Sequence, residues 1–215
     1  TGQVLWKFPW AGGHPHIAMP LVVSETDLIV SSGYGTGSGR IRVRRDASGK
    51  WSATPVWRTN RLKAKFTNPV LHDGFMYGLD DGILACVDAA SGELRWKEGR
   101  YGHGQTLLVG ALLLVLAENG EVILIEPKPD RLRELCRFQA LAGKTWNPPA
   151  LAGEYLLVPM CMSHWKINST IPTIKITQAM ALWAGLTVKY NSITMVILMA
   201  VLILHLMALT LWWLA

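Results

Sequence analysis

The chain has 215 residues, half of them hydrophobic, and a formal net charge of +6. That is enough apolar material for one large domain or two small ones. All 15 acidic residues lie at or before Glu154, and Lys166, Lys175 and Lys189 supply half of the positive excess in an acid-free tail, so the body is nearly balanced and carries no nucleic-acid footprint, while three scattered cysteines exclude a disulfide framework.

Taken in chain order, the sequence reads as short strands divided by turns. It opens inside a repeat, with no initiator Met and no signal peptide, as a cut through a longer protein would. From Pro20, the runs Leu21-Val22-Val23, Asp27 to Val30, Ile41-Arg42-Val43 and Val56-Trp57-Arg58 are β-rich, with turn residues at 24–26, 33–39 and 46–49. The next unit gives Pro69 to Leu71, Phe75 to Leu79, Ile83 to Asp88 and Glu93 to Trp96, with Asp80-Asp81-Gly82 as a tight hairpin turn. A third gives Thr106 to Val109, Ala111 to Ala117, Glu121 to Glu126 and Arg133 to Phe138, and a fourth begins at Asn147 and enters Tyr155 to Val158. Within these runs Cys86 reads as a small buried hydrophobe.

Beyond Val158 the rhythm stops. Residues 159–192 show no clear period and read as an irregular linker. Residues 193–215 contain no formal charge, long enough for an apolar helix that crosses a bilayer, with Trp212 and Trp213 at its interface. An apolar helix buried against the body, or a tail produced by an altered reading frame, are the other readings of this segment.

The strand units repeat about every 40 residues, and that period belongs to propeller blades or another repeat array. Aromatic anchors recur at Trp6, Trp57, Trp96 and Phe138, and Pro20, Pro69 and Pro149 each open an apolar run. The expected fold is all-β: a partial β-propeller over residues 1–158, about three four-stranded blades plus the start of a fourth, with a C-terminal apolar helix. In it the recurrent indole wedges between neighbouring blades, and the Gly four residues earlier, Gly92 in the fullest copy, permits the turn from strand three to strand four.

The phrase Asp88-Ala89-Ala90-Ser91-Gly92-Glu93-Leu94-Arg95-Trp96 resembles the repeat of the quinoprotein-like propellers, named for pyrroloquinoline quinone, with Tyr77 to Asp80 upstream strengthening the match. The resemblance covers residues 1–158. It implies seven or eight blades in a complete member. It also implies one of two roles: a non-catalytic binding or scaffold propeller of the bacterial envelope, with a protein partner on its rim, or a quinone- and calcium-dependent alcohol dehydrogenase. The propeller lipoprotein of the outer-membrane assembly machinery, which binds no quinone, is of the first kind. Dehydrogenases of the second kind stack the quinone between a Trp and, commonly, a vicinal disulfide, hold Ca²⁺ with oxygen ligands and use an Asp as base. No adjacent cysteines occur here, so the scaffold reading, with no cofactor, is the first expectation, and PQQ with calcium belongs to the alternative.

Candidate residues follow from position. Loops before strand one gather at one end of a propeller, which places His16, Asn68, His103 and Asn147 on one rim as ligand candidates. Trp6, Trp57, Asp88, Gly92, Trp96 and Phe138 are the expected blade-docking residues. Asp80-Asp81 and Asp88 read as turn formers before metal ligands, and His14-Pro15-His16 reads as a loop before a metal pair. Ser31 to Gly39 fits neither phosphate-loop pattern and reads as a flexible loop. Arg40, Arg42, Arg44 and Arg45 read as the charge of an exposed strand edge.

Overall fold

The computed structural model describes residues 2–10, 12–159 and 173–175, the last as backbone. All regular structure in these residues is β. The first sheet contains β1 (Leu21–Val22), β2 (Asp27–Ser32), β3 (Gly37–Arg45) and β4 (Trp51–Thr59). The second contains β5 (Val70–His72), β6 (Phe75–Asp80), β7 (Ile83–Asp88) and β8 (Leu94–Arg100), and the third β9 (Gln105–Val109), β10 (Leu112–Leu116), β11 (Glu121–Ile125) and β12 (Glu134–Gln139). A fourth sheet has β13 (Ala150–Ala152), β14 (Tyr155–Leu157) and β15 (Thr173–Lys175). In each sheet the strands lie in sequence order, antiparallel to their neighbours.

Local chemistry explains the clean second sheet. Asp73 and Gly74 join β5 to β6, and Asp81 and Gly82 join β6 to β7; all four have positive φ, between 48° and 86°. That is the two-residue hairpin turn whose twist suits flanking strands, and Asp-Gly adopts it readily. The central strands are buried on both sides: Met76 to Asp80 in β6, Leu84 to Val87 in β7, and the last four residues of β10 and of β11. A strand shows this only when both faces of its sheet are covered.

Three apolar seams do the covering. Ile29, Leu62 and Ala64 meet Met76, Val87 and Ala89 between the first and second sheets. Tyr77, Leu79, Leu84 and Cys86 meet Leu113, Val115, Ile123 and Ile125 between the second and third. Leu114, Leu116, Val122 and Leu124 meet Leu156 and Val158 between the third and fourth. Neighbouring residues such as Met76 and Tyr77 therefore serve opposite seams, as the two-residue side-chain period of a strand requires. Burial of each large aliphatic side chain contributes about 1.5–3 kcal/mol, and no sheet could bury both faces alone. Consecutive four-stranded leaves stacked face to face are the blades of a partial propeller.

Several sequence expectations change. Gly37 to Gly39 belong to β3, and only residues 33–36 turn; the glycines are there for close approach. A Cβ on Gly37 would lie 2.1 Å from the Thr59 carbonyl oxygen, and one on Gly39 would lie 2.9 Å from the Trp10 ring. The arginine strand is not an edge, because β3 pairs with both β2 and β4. Buried Asp27 takes Arg42 in a two-point bond at 2.8 Å each, and Arg40 at 2.7 Å. Asp80 is the last residue of β6, fully buried, and held by Lys63 at 2.5 Å and Lys97 at 2.8 Å. β15 lies within 159–192, where the sequence showed no period. The expected apolar helix at 193–215 lies outside the described residues; among the described residues no helix is long and apolar enough to cross a membrane.

Candidate functional site

In a four-stranded meander the turn from strand two to strand three and the connection into the next sheet lie at the same end. Backbone bonds tie these segments together here. Lys63 in the first connection accepts from Asp81 N at 3.5 Å, and Gly82 accepts from Tyr101 N at 2.8 Å. Glu118 N then donates to Tyr101, and Thr145 N to Glu118, at 2.8 and 2.9 Å. Gln105 adds a side-chain tie: its Nε2 donates to the carbonyls of Phe66 (2.6 Å) and Trp146 (2.7 Å), joining two connections to the start of β9.

Strand register identifies equivalent positions. Val70 pairs with Tyr77, Leu107 with Leu114 and Ala150 with Leu157. Counting back from Val70, Leu107 and Ala150 places Phe66, His103 and Trp146 at one repeat position, four residues before each. Their rings meet. Phe66 stacks on Trp146 at 5.4 Å and meets the edge of His103 at 5.6 Å. Lys65 lies 4.6 Å from the Tyr34 ring and 5.5 Å from Phe66, and Lys144 lies 4.3 Å from Trp146. His14 stacks on Tyr34 at 4.6 Å, extending the row. Tyr34 and Trp146 remain 40% and 44% exposed. Gly33 has no side chain because Lys65 runs over it, its Cα 2.8 Å from where a Cβ would stand.

Glu118 anchors the row. Its carboxylate accepts from Trp146 Nε1 at 3.0 Å, Lys144 Nζ at 2.7 Å and His103 N at 2.9 Å. Partial burial pushes its pKa up, but these donors outweigh it and hold the group at about 2. Beside it opens a cavity of about 540 Å³ lined by Arg100, Tyr101, Glu118, Asn119, Glu121 and Lys144.

Of the four rim candidates, His103 lies in the ring row and Asn147 follows Trp146 in the chain. Asn147 N donates to Thr145 Oγ1 at 3.4 Å. His16 and Asn68 are tied elsewhere. His16 Nδ1 is 2.8 Å from Ser32 Oγ, which also accepts from Trp10 Nε1 at 2.9 Å, and Asn68 Oδ1 accepts from Met19 N at 2.8 Å. The residues that sequence reading passed over are Tyr34, Lys65, Phe66, Glu118, Lys144 and Trp146. A signal existed for two of them: Phe66 and Trp146 each stand three residues before the proline that opens an apolar run.

The expected docking residues lie as follows. Trp57 on β4 donates from Nε1 to the Ala89 carbonyl at 3.2 Å, and Trp96 on β8 donates to the Lys128 carbonyl at 2.8 Å. Both bonds cross to the next sheet. Asp88 caps its turn, accepting from Ala90 N and Ser91 N at 2.8 and 3.0 Å. Gly92 has φ +78°, and a Cβ there would stand 2.8 Å from the Trp57 ring. Phe138 packs at the third seam but is two residues out of register. Trp57 pairs with Arg40, which pairs with Ile29; Trp96 pairs with Cys86, which pairs with Tyr77. The matching place in β12 pairs with Leu124, and Cys136 holds it. Trp6 lies on no strand and has no hydrogen bond or ring contact among the described residues. Trp10 is the N-terminal indole that engages the first sheet, through Ser32 and through Arg58 4.8 Å from its ring.

No protein-family model matches this sequence, and no curated protein does. Among solved structures the chain is similar to a europium-containing methanol dehydrogenase, at 16% identity over 63% of this chain and 26% of that one, with a TM-score of 0.46. It is also similar to BamB from Moraxella catarrhalis, at 14% identity over 65% of this chain and 53% of that one, with a TM-score of 0.39. The chain thus spans about a quarter of the first structure's length and about half of the second's. Neither likeness bears on what this chain binds or does. The fold rests on the sheets themselves and on the three apolar seams between them. The described sheets form a partial propeller.

Three aspartates that could offer oxygen ligands to a calcium ion are engaged within the fold. Asp80 is engaged by two lysines, Asp27 by two arginines and Asp88 by turn amides. Among the described residues, no three His, Cys, Asp or Glu side chains converge.

Proposed function

We propose that this chain is part of a bacterial-envelope propeller that holds a protein partner and does not turn over a substrate. The observation that carries the reading is the row of rings at one end of the stacked sheets. Phe66, His103 and Trp146 occupy one repeat position on three successive connections, with cations on their faces and exposed indole and phenol at Trp146 and Tyr34. Exposed aromatic residues backed by a rigid scaffold suit recognition of another protein. The buried carboxylates, by contrast, hold the sheets together. The envelope location follows from the resemblance of the repeat.

Two measurements test this. A photo-crosslinking residue at position 146 of the full chain is expected to give discrete protein adducts in cells, while one at Ser48, in the turn at the opposite end of the first sheet, gives none. The full chain supplied with pyrroloquinoline quinone and Ca²⁺ is expected to reduce no dye with alcohols. Alcohol-dependent dye reduction would replace the binding reading with the dehydrogenase one.

A further inference from the structure

We infer that the partner segment held at this end is acidic and aromatic: an extended polypeptide whose carboxylates meet Lys65 and Arg100 and whose apolar side chains lie along Tyr34, Phe66 and Trp146. The inference rests on the reading above and names the chemistry of the partner.

Charge decides it. The connections at this end carry Arg61, Lys63, Lys65 and Lys144, and the end of β8 adds Arg100. Most carboxylates there are engaged: Asp80 holds Lys63 and Lys97, Asp81 lies 3.5 Å from Lys63, and Glu118 holds Lys144, while exposed Glu98 on β8 offsets one cation. Glu121, at the cavity wall, is taken by Arg137 at 3.3 Å and Asn119 at 2.8 Å. Arg61, Lys65 and Arg100 have no carboxylate partner among the described residues. Lys65 rests on rings alone, and exposed Arg100 lines the cavity. The unspent charge is therefore positive, and it borders both the ring row and a cavity of about 540 Å³, a volume in the range of small-ligand pockets. A peptide carboxylate beside Arg100 with an apolar neighbour over Trp146 satisfies both features at once.

A single-stranded nucleic acid is the competing occupant, because it too joins anionic charge to flat rings. The geometry disfavours it. The unpaired cations are few, with Asp81 and Glu118 among them, where a phosphate backbone needs a continuous basic track.

The test uses the full chain in mild detergent and a short fluorescein-labelled peptide of alternating Glu and Phe, read by anisotropy, beside Gln/Phe and Lys/Phe counterparts and an oligo-dT. The Glu/Phe peptide is expected to bind at least about tenfold tighter than the other three. Lys65→Glu with Arg100→Glu is expected to remove that preference, and Trp146→Ala to weaken binding of the acidic peptide. Equal binding of the lysine peptide or of oligo-dT overturns the inference, as does an unchanged preference in the folded double variant. Should that variant not fold, the peptide series on the unaltered chain decides alone. Discrete crosslinks from position 146 without acidic-peptide binding overturn the acidic partner and leave the binding reading standing; absence of both overturns both.

Discussion

The Nε1 of Trp57 and the carbonyl of Ala89 lie 3.2 Å apart and on different sheets. The same carbonyl accepts from Arg40 at 3.1 Å, and Arg40 is itself held by Asp27. The bond thus closes a polar knot across an apolar seam. At the next seam the indole of Trp96 reaches the Lys128 carbonyl, with Cys86 standing where Arg40 stands in the first sheet.

This asymmetry predicts unequal costs for one substitution. Trp57→Phe removes one of two donors to Ala89, and Trp96→Phe removes the indole donor to Lys128 from a residue only 6% exposed. We expect Trp96→Phe to cost about 1–2 kcal/mol and Trp57→Phe about half of that. Urea unfolding of both variants checks the order; a larger loss at Trp57 contradicts it.

Gly92 and Gly74 separate two reasons for glycine. Both have positive φ, +78° and +81°, but a Cβ at Gly74 meets nothing within 4 Å, while one at Gly92 would press on the Trp57 indole at 2.8 Å. Gly74→Ala should cost only the backbone penalty of about 1 kcal/mol. Gly92→Ala should exceed it by a further 1–3 kcal/mol, on the order of an overpacked core site. Equal losses by thermal or chemical unfolding would show that the indole does not seal that turn.

Acid should loosen the sheets in a defined window. Side-chain bonds from Arg42, opposed by burial, hold Asp27 far below the usual carboxylate range. Burial pushes Asp80 up, but Lys63 and Lys97 outweigh it and the net shift is downward; Glu118 is held at about 2 against an ordinary 4.5. A folded pKa below the unfolded one stabilises above the unfolded value and is lost as pH falls through the folded one. For Glu118 the loss therefore runs from about pH 4.5 towards 2, and for Asp27 from below about 4 further downward. Asp27→Asn should flatten part of this slope and cost about 2 kcal/mol at neutral pH, less than a fully buried pair because Arg42 is partly exposed. Stability curves from pH 7 to 2 that are parallel for the two proteins would refute the assignment.

Cys86 should behave as core. It is fully buried, and burial pushes its thiol up to about 11, so the nucleophilic thiolate is scarce at neutral pH. Cys136 is only partly buried. Alkylation near pH 8, followed by peptide mass spectrometry, should label Cys136 before Cys86, and Cys86 only as the protein unfolds. Comparable early rates at both would place Cys86 outside the seam.

How legible was this in the sequence? The second sheet was clear because Asp73-Gly74 and Asp81-Gly82 announce their turns locally. The first sheet was misbounded because Gly37 and Gly39 look like loop residues, yet they are strand positions cleared for Thr59 and Trp10. Trp57 and Trp96 share one register position, whereas Phe138 stands two residues from the matching place in the third sheet, which Cys136 holds opposite Leu124; an aromatic residue stands out in a sequence and a cysteine does not. The row at the site was hidden for another reason. Lys65 and Trp146, or Glu118 and Lys144, come together only when separate connections converge, and no local pattern encodes that convergence. The ion pairs of Asp27 and Asp80 escaped for the same reason, their partners lying 13 to 17 residues away.

Gln105 carries a mechanical implication. Stacked repeats usually loosen leaf by leaf from an end, since each leaf leans only on its neighbour. One amide that grips the Phe66 and Trp146 carbonyls together makes the entry strands of three leaves answer to a single rivet. Fraying at the fourth leaf would then be felt at the second, and hydrogen exchange would show those entry strands opening as one unit.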